Sequence, residues 1–242
     1  MNSRTVAPAV RAGGWSLILA ALLFLAVFSY LAAKFEYPDV LDKPAGEVLP
    51  RLIALGTTGR AVWVLYGLVP LLLVPAGIGA EAALRRAAPG AMRAASHFAT
   101  LGAFSMLLGL MRWPSIQWEL GRTWVDADGS QRAALGAVFA GLNSYLGNFL
   151  GEFVGELCLN LFFVLTAYAM YRSIDRPRWA GPAGLAVGVI GLIAMFRNAV
   201  PAVAPIAAVN NLILPVWLLV LGWLLLRATP GALSEVVGEM LG

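Results

Sequence analysis

Between Arg132 and Arg172 the only charged side chains are Glu152 and Glu156, set in 39 otherwise uncharged, mostly apolar positions. Water cannot be the main solvent of such a stretch, and an α-helix is the form in which its backbone satisfies its own hydrogen bonds in hydrocarbon. Similar charge-poor runs recur along the chain, each near the ~20 residues a helix needs to cross a bilayer core. The overall composition agrees, with 60% hydrophobic and 12% charged residues. An all-α polytopic bundle of six transmembrane helices follows, with spans expected at 14–33, 61–82, 94–112, 148–171, 179–196 and 206–226. No polar segment between them is long enough to fold alone, so residues 1–242 are expected to form a single integral membrane domain.

Arg4 and Arg11 precede the first run, which resembles a signal sequence. Its apolar part exceeds the usual 7 to 15 residues and no clean small-residue cleavage site precedes Lys34, so an uncleaved helix is expected. Pro38, Pro44 and Pro50 mark a polar connector, within which Val48, Leu49, Leu52 and Leu55 suggest a short interfacial helix on the outer surface. Pro70 and Pro75 should bend the second span. Trp113, Trp118 and Trp124 read as interface anchors, followed by a turn at Asp126–Gly129. A 39-residue helix would be about 60 Å long at 1.5 Å per residue, so Arg132 to about Gly147 is expected at or outside the interface. The tail from Ala228 reads as mildly amphipathic.

The basic residues explain orientation better than they suggest nucleic acid. Arg85, Arg86, Arg93, Arg172, Arg176 and Arg178 sit in the two short loops that six spans would place on one side with both termini. The positive-inside rule makes that side cytoplasmic, and a bacterial inner membrane is the expected location. The remaining loops, near Lys43 and Asp128, would then be outside.

Within the fourth run, Asn148, Glu152, Glu156 and Asn160 recur every four residues and would form one polar stripe on an α-helix. Gly147, Gly151 and Gly155 run one position behind, a ridge suited to close helix packing. Arg112 ends the third span and Arg197 the fifth, at the same expected depth as the acids, with Asn198, Asn210 and Asn211 at that level too. Charges inside a bilayer demand partners, and a guanidinium fork fits a carboxylate. Two acids one turn apart can also hold a shared proton. Two readings stand about level: a site binding a small solute, coupled to a proton or cation, and a Glu/Arg network that only stabilises a structural, sensory or partner-regulating protein.

Catalysis is the least favoured class. One histidine, His97, and one cysteine, Cys158, cannot build a usual zinc or bis-histidine haem site, and no G-x-S-x-G is present. No catalytic residue, metal or cofactor is assigned. The lipid bilayer and a small solute or proton are the expected partners, nucleic acid is not, and the oligomeric state is open.

The segments Arg176-Pro-Arg-Trp179 and Asn211-Leu-Ile-Leu-Pro215-Val-Trp217-Leu-Leu-Val-Leu-Gly222 resemble a family of small six-helix bacterial membrane proteins, catalogued as a domain of unknown function. The resemblance covers the last two helices, about a quarter of the chain. It implies six helices and a bacterial inner membrane, and it brings no activity or site residues.

Overall fold

The computed structural model describes residues 3–227. The amphipathic tail from Ala228 lies outside them. Among the described residues every regular element is helical, and six stretches are long and apolar enough to cross a membrane. In chain order these are Pro8–Phe35, Gly56–Leu84, Pro89–Asp126, Gly129–Arg172, Ala180–Asn198 and Pro201–Leu226.

The first helix, α1 (Ser3–Phe35), ends where Glu36 adopts φ 56° and the Tyr37 N–H donates back to Leu31 O at 3.3 Å. That left-handed residue and the bond back across six positions satisfy a carbonyl the helix end leaves open. A short turn (Asp39–Asp42) leads to α2 (Ala45–Ala54). Gly56, at φ 63°, then redirects the chain into α3 (Gly56–Leu68), a conformation glycine adopts without steric cost. Pro70 lies in a 3-10 turn, Val69–Leu72, that separates α3 from α4 (Leu73–Leu84). Proline cannot donate to the ladder, so the break falls beside it.

Pro89 opens α5 (Pro89–Met111), where a missing N–H costs nothing. After a turn at Pro114 follow α6 (Ile116–Asp126) and α7 (Gly129–Leu142). Asp128 and Gln131 close a reciprocal capping box at the start of α7. From Asn143 to Val154 the chain is a π-helix, continuing without a break into α8 (Gly155–Arg172). The last helices are α9 (Ala180–Ala194), which ends in a 3-10 turn at Met195–Asn198, and α10 (Ala204–Leu226), which runs through Pro215.

Two apolar cores divide the bundle. One, around Leu17, Ala76, Ala99, Phe162, Phe163 and Leu221, joins α1, α4, α5, α8 and α10 at the end that carries the arginine-rich loops. The other, around Phe35, Leu49, Trp63 and Trp113, joins the end of α1 to α2, α3 and α6. Two sequence expectations change here, and one is extended. Trp113 and Trp118 are buried in the second core rather than placed as interface anchors. The apolar face of α2, with Val48, Leu49 and Leu52 fully buried, meets protein instead of lipid. The helix of the fourth run begins at Gly129, and its first part, α7, packs on α2 and α6.

Candidate functional site

The π-helical segment sets the site. Its i→i+5 bonds change the angular step between residues, so a spacing of four drifts about the axis in the opposite sense to an α-helical stripe. Glu152 lies near the end of that segment and Glu156 in the first turn of α8. Both acids nevertheless reach one cation. Arg197 grips Glu156 with a two-pronged fork, Nη1 to Oε2 and Nη2 to Oε1, each 2.8 Å. Its Nη2 also donates to Glu152 Oε2 at 2.8 Å, and Asn198 Nδ2 donates to the same oxygen at 2.7 Å. The side chains retain 20% exposure at Arg197, 27% at Glu152 and 12% at Glu156, so Glu152 is the wetter acid. Among the described residues Glu152 Oε1 has no hydrogen-bond donor.

Arg112 is held differently. It is 5% exposed and makes no ion pair among the described residues. Its Nε and Nη2 donate to Asn143 Oδ1 at 3.3 and 3.0 Å, and its Nη1 donates to Gly109 O. Asn143 is itself fixed by donating to Leu41 O at 3.4 Å. The guanidinium lies 5.0 Å from the Trp113 ring centre, a cation–π contact. Gly147 leaves the room it occupies, because a Cβ there would collide with the guanidinium.

These groups border one cavity of about 240 Å³ between the two cores. Glu152, Glu156, Arg197, Arg112 and Asn211 supply its charged and polar wall. Phe24, Phe28, Leu73, Met106, Leu214 and Leu218 supply an apolar one, from α1, α4, α5 and α10. Tyr37 and Tyr66 also line it, with hydroxyls 3.5 Å apart. Burial pushes the Tyr37 phenol above its ordinary range, so at neutral pH it keeps its proton and can donate.

Of the other residues singled out from the sequence, Gly147 and Gly151 also line this pocket, whereas Asn148, Asn160, Asn210 and Gly155 lie apart from it. Asn148 faces a second groove, beside Lys43 and Trp124, and joins the acids only through its carbonyl, which accepts from Asn198 at 3.3 Å. Asn160 donates to Glu156 O at 2.7 Å within its own helix, and its side chain packs on Gly191 of α9. Asn210 is buried, with an oxygen that has no partner among the described residues. Of the glycines, Gly151 meets the backbone of Gly109, and a Cβ on it would come within 2.9 Å of the Gly109 Cα. Gly155 meets the Met106 side chain.

Tyr37, Tyr66, Trp113 and Asn143 belong to the surroundings of this site without having been singled out for it. Asn143 carried a usable signal: it is a polar residue immediately before the apolar acid-bearing run. The aromatic residues carried none, since large apolar side chains fill every span.

The sequence matches, over residues 12–222, a protein family described as "Domain of unknown function (DUF4386)". That match extends far beyond the two last helices on which the resemblance rests. No curated protein and no solved structure matches the chain.

Proposed function

We propose that this chain, which belongs to the DUF4386 family of unknown function, is an integral membrane protein that binds a small amphipathic solute in the cavity beside Glu152. The carrying observation is the cavity of about 240 Å³ that the acids and both arginines border together. A network serving stability alone has no need of a void, because unfilled space forfeits packing. Convergent polar groups on an otherwise apolar pocket are the usual form of a small-molecule site.

The reading includes an orientation. The cavity lies away from the loops that hold Arg85, Arg86, Arg172 and Arg176, so by the positive-inside rule it belongs to the outer half of a bacterial inner membrane with both termini cytoplasmic. It also includes proton linkage, with transport as the consequence where the solute crosses. Glu156 is saturated by Arg197, whereas Glu152 has an oxygen left over for a proton, a cation or a solute. The structural reading rests on the bidentate Glu156–Arg197 pair, which ties α8 to the end of α9. The two readings assign different acids.

The test is thermal unfolding of the protein in lipid nanodiscs against a panel of small amphipathic solutes, with proton uptake in liposomes followed by an internal pH dye. Wild type is expected to gain several degrees with at least one solute and to show solute-dependent proton movement. Glu152→Gln should keep the melting temperature of the free protein and lose the proton signal. If no solute shifts the melt, no proton signal exists, and Glu152→Gln alone lowers the melting temperature sharply, the acids are a structural lock.

A further inference from the structure

The charges around the cavity cancel in sum and are separated in space. Glu152 and Glu156 bring two negative charges, Arg197 and Arg112 two positive ones, and the charge of Arg197 is ion-paired to both acids through three of its five N–H groups. Among the described residues that line the cavity, the groups left over are one carboxylate oxygen without a donor, Glu152 Oε1, and one guanidinium paired only with neutral acceptors, Arg112. Counting hydrogens refines the second group. A guanidinium has five N–H donors. Three are spent, by Nε and Nη2 on Asn143 and by Nη1 on Gly109. The two left over are one on each terminal nitrogen, and a pair of terminal N–H groups can grip a carboxylate or phosphate in two-pronged fashion.

We propose that the cavity recognises a zwitterion with an apolar body, its anionic group on the free fork of Arg112 and its ammonium on Glu152 Oε1. This rests on the solute-binding reading and names the class of solute. A lone anion would leave Glu152 uncompensated in a low-dielectric pocket, and a lone cation would do the same to Arg112. A zwitterion compensates both poles and leaves the net charge unchanged. Size agrees with a compact ligand: at roughly 20 to 30 Å³ per non-hydrogen atom, about 240 Å³ holds roughly eight to twelve such atoms. Phe24, Phe28, Tyr66 and Leu218 then take the apolar body. An apolar α-amino acid has this chemistry, and so does the ethanolamine phosphate head of a lipid, which at about eight non-hydrogen atoms fits the cavity with its glycerol and acyl part left outside it.

Three compounds with one body and different heads decide the matter: L-phenylalanine, 3-phenylpropionate and 2-phenylethylamine. Their dissociation constants are measured by calorimetry on the full chain in nanodiscs of zwitterion-free lipid, with hexanoyl-lysophosphatidylethanolamine as the lipid arm. Phenylalanine or the lysolipid should bind at least tenfold tighter than the anion and the amine, and whichever does so identifies the source of the head. Arg112→Lys keeps the charge without the fork and should erase that tenfold preference. Because Arg112 is buried, Glu152→Gln serves as the second variant; it should weaken zwitterions selectively and leave phenylpropionate unchanged or tighter. Equal binding of all three heads in wild type overturns the zwitterion while leaving solute binding standing. No binding by any of the four compounds to the folded wild type overturns both.

Discussion

The two ends of the bundle bury their helices by opposite means. At the arginine-loop end, small residues let backbones touch: a Cβ on Gly13 would come within 2.8 Å of Gly79 Cα, and one on Gly14 within 2.9 Å of Gly222 O. At the other end, aromatic side chains fill the space between helices. Trp63 stacks on Trp113 with ring centres 4.8 Å apart, and Phe35 meets both rings edge-on. Between lipid-bathed helices the hydrophobic effect gives little net drive, so contact quality decides association. Backbone contact seals the arginine-loop end and recurs beside the cavity where Gly109 meets Gly151, whereas rings fill the space between α1, α3 and the α5–α6 turn on the cavity's other side. The polar site lies where the two kinds of packing meet.

Truncation should therefore injure the aromatic end and enlargement the close-packed end. Trp63→Ala should have the largest effect. The ring is fully buried and touches four aromatic neighbours, Phe35, Tyr37, Tyr66 and Trp113. Removing it should cost about 3–5 kcal/mol, read by thermal or chemical unfolding in detergent. A loss below about 0.5 kcal/mol, within the scatter of surface substitutions, would mean the ring stack does not hold this end.

Next comes the ionic joint beside the cavity. Arg197→Gln leaves two adjacent carboxylates without their cation and should cost about 2–3 kcal/mol, less than a fully buried pair because all three groups are partly exposed. Adding Glu156→Gln to it should recover part of that loss, since one of the two facing charges is then gone. Strict additivity of the two substitutions would show that the groups do not act as a unit.

At the opposite end, Gly13→Val inserts a branched side chain against the Gly79 backbone and the Pro75 carbonyl, neither of which can swing aside. The expected cost is about 1–3 kcal/mol, and Gly13→Ala should show a smaller loss of the same sign. An unchanged melting temperature for Gly13→Val would mean that α1 and α4 separate without penalty, which would remove the contrast between the ends.

Hydropathy made the six helices legible, because covering a backbone in hydrocarbon leaves few alternatives to a long apolar helix. Height within the bundle was legible too: helix ends counted in residues put Arg197 level with Glu152 and Glu156, and the structure joins them. Rotation about each helix axis was not. Asn160 and Asn210 have the right depth or chain position and point elsewhere, one onto Gly191 and the other into a buried spot away from the cavity. The π-helical stretch was hidden as well, since no residue between Asn143 and Val154 announces i→i+5 bonding, and a spacing of four reads as α-helix by default. Trp113 and Trp118 misled for a related reason. Tryptophan beside a charged residue at the end of an apolar run has the same pattern whether it anchors at lipid headgroups or closes an aromatic core over a loop.

The smallest predicted effect concerns pH and again separates the two ends. Asp128 accepts from the Gln131 N–H and the Ser130 hydroxyl, each at 2.8 Å, and the backbone bond first, the hydroxyl second, hold its carboxyl below the usual aspartate range. Glu36 is likewise lowered, by Lys43 first and then Arg51. Both carboxylates belong to the aromatic end, flanking α7 and α2. A carboxylate with a depressed folded-state pKa stabilises above its unfolded value, about 3.9 for aspartate, and that contribution is lost as pH falls through the folded value. Acidification from pH 7 toward pH 3 should therefore loosen the first turn of α7 before it loosens the start of α9, where Trp179 rather than a carboxylate precedes the helix. Hydrogen exchange of the Gln131 and Arg132 amides is the measurement, with Asp128→Asn as the control. The variant should exchange at a rate nearly independent of pH once the intrinsic chemical rate is divided out. Equal loss of protection at both helix starts would show that acid acts on the bundle as a whole and not through the cap.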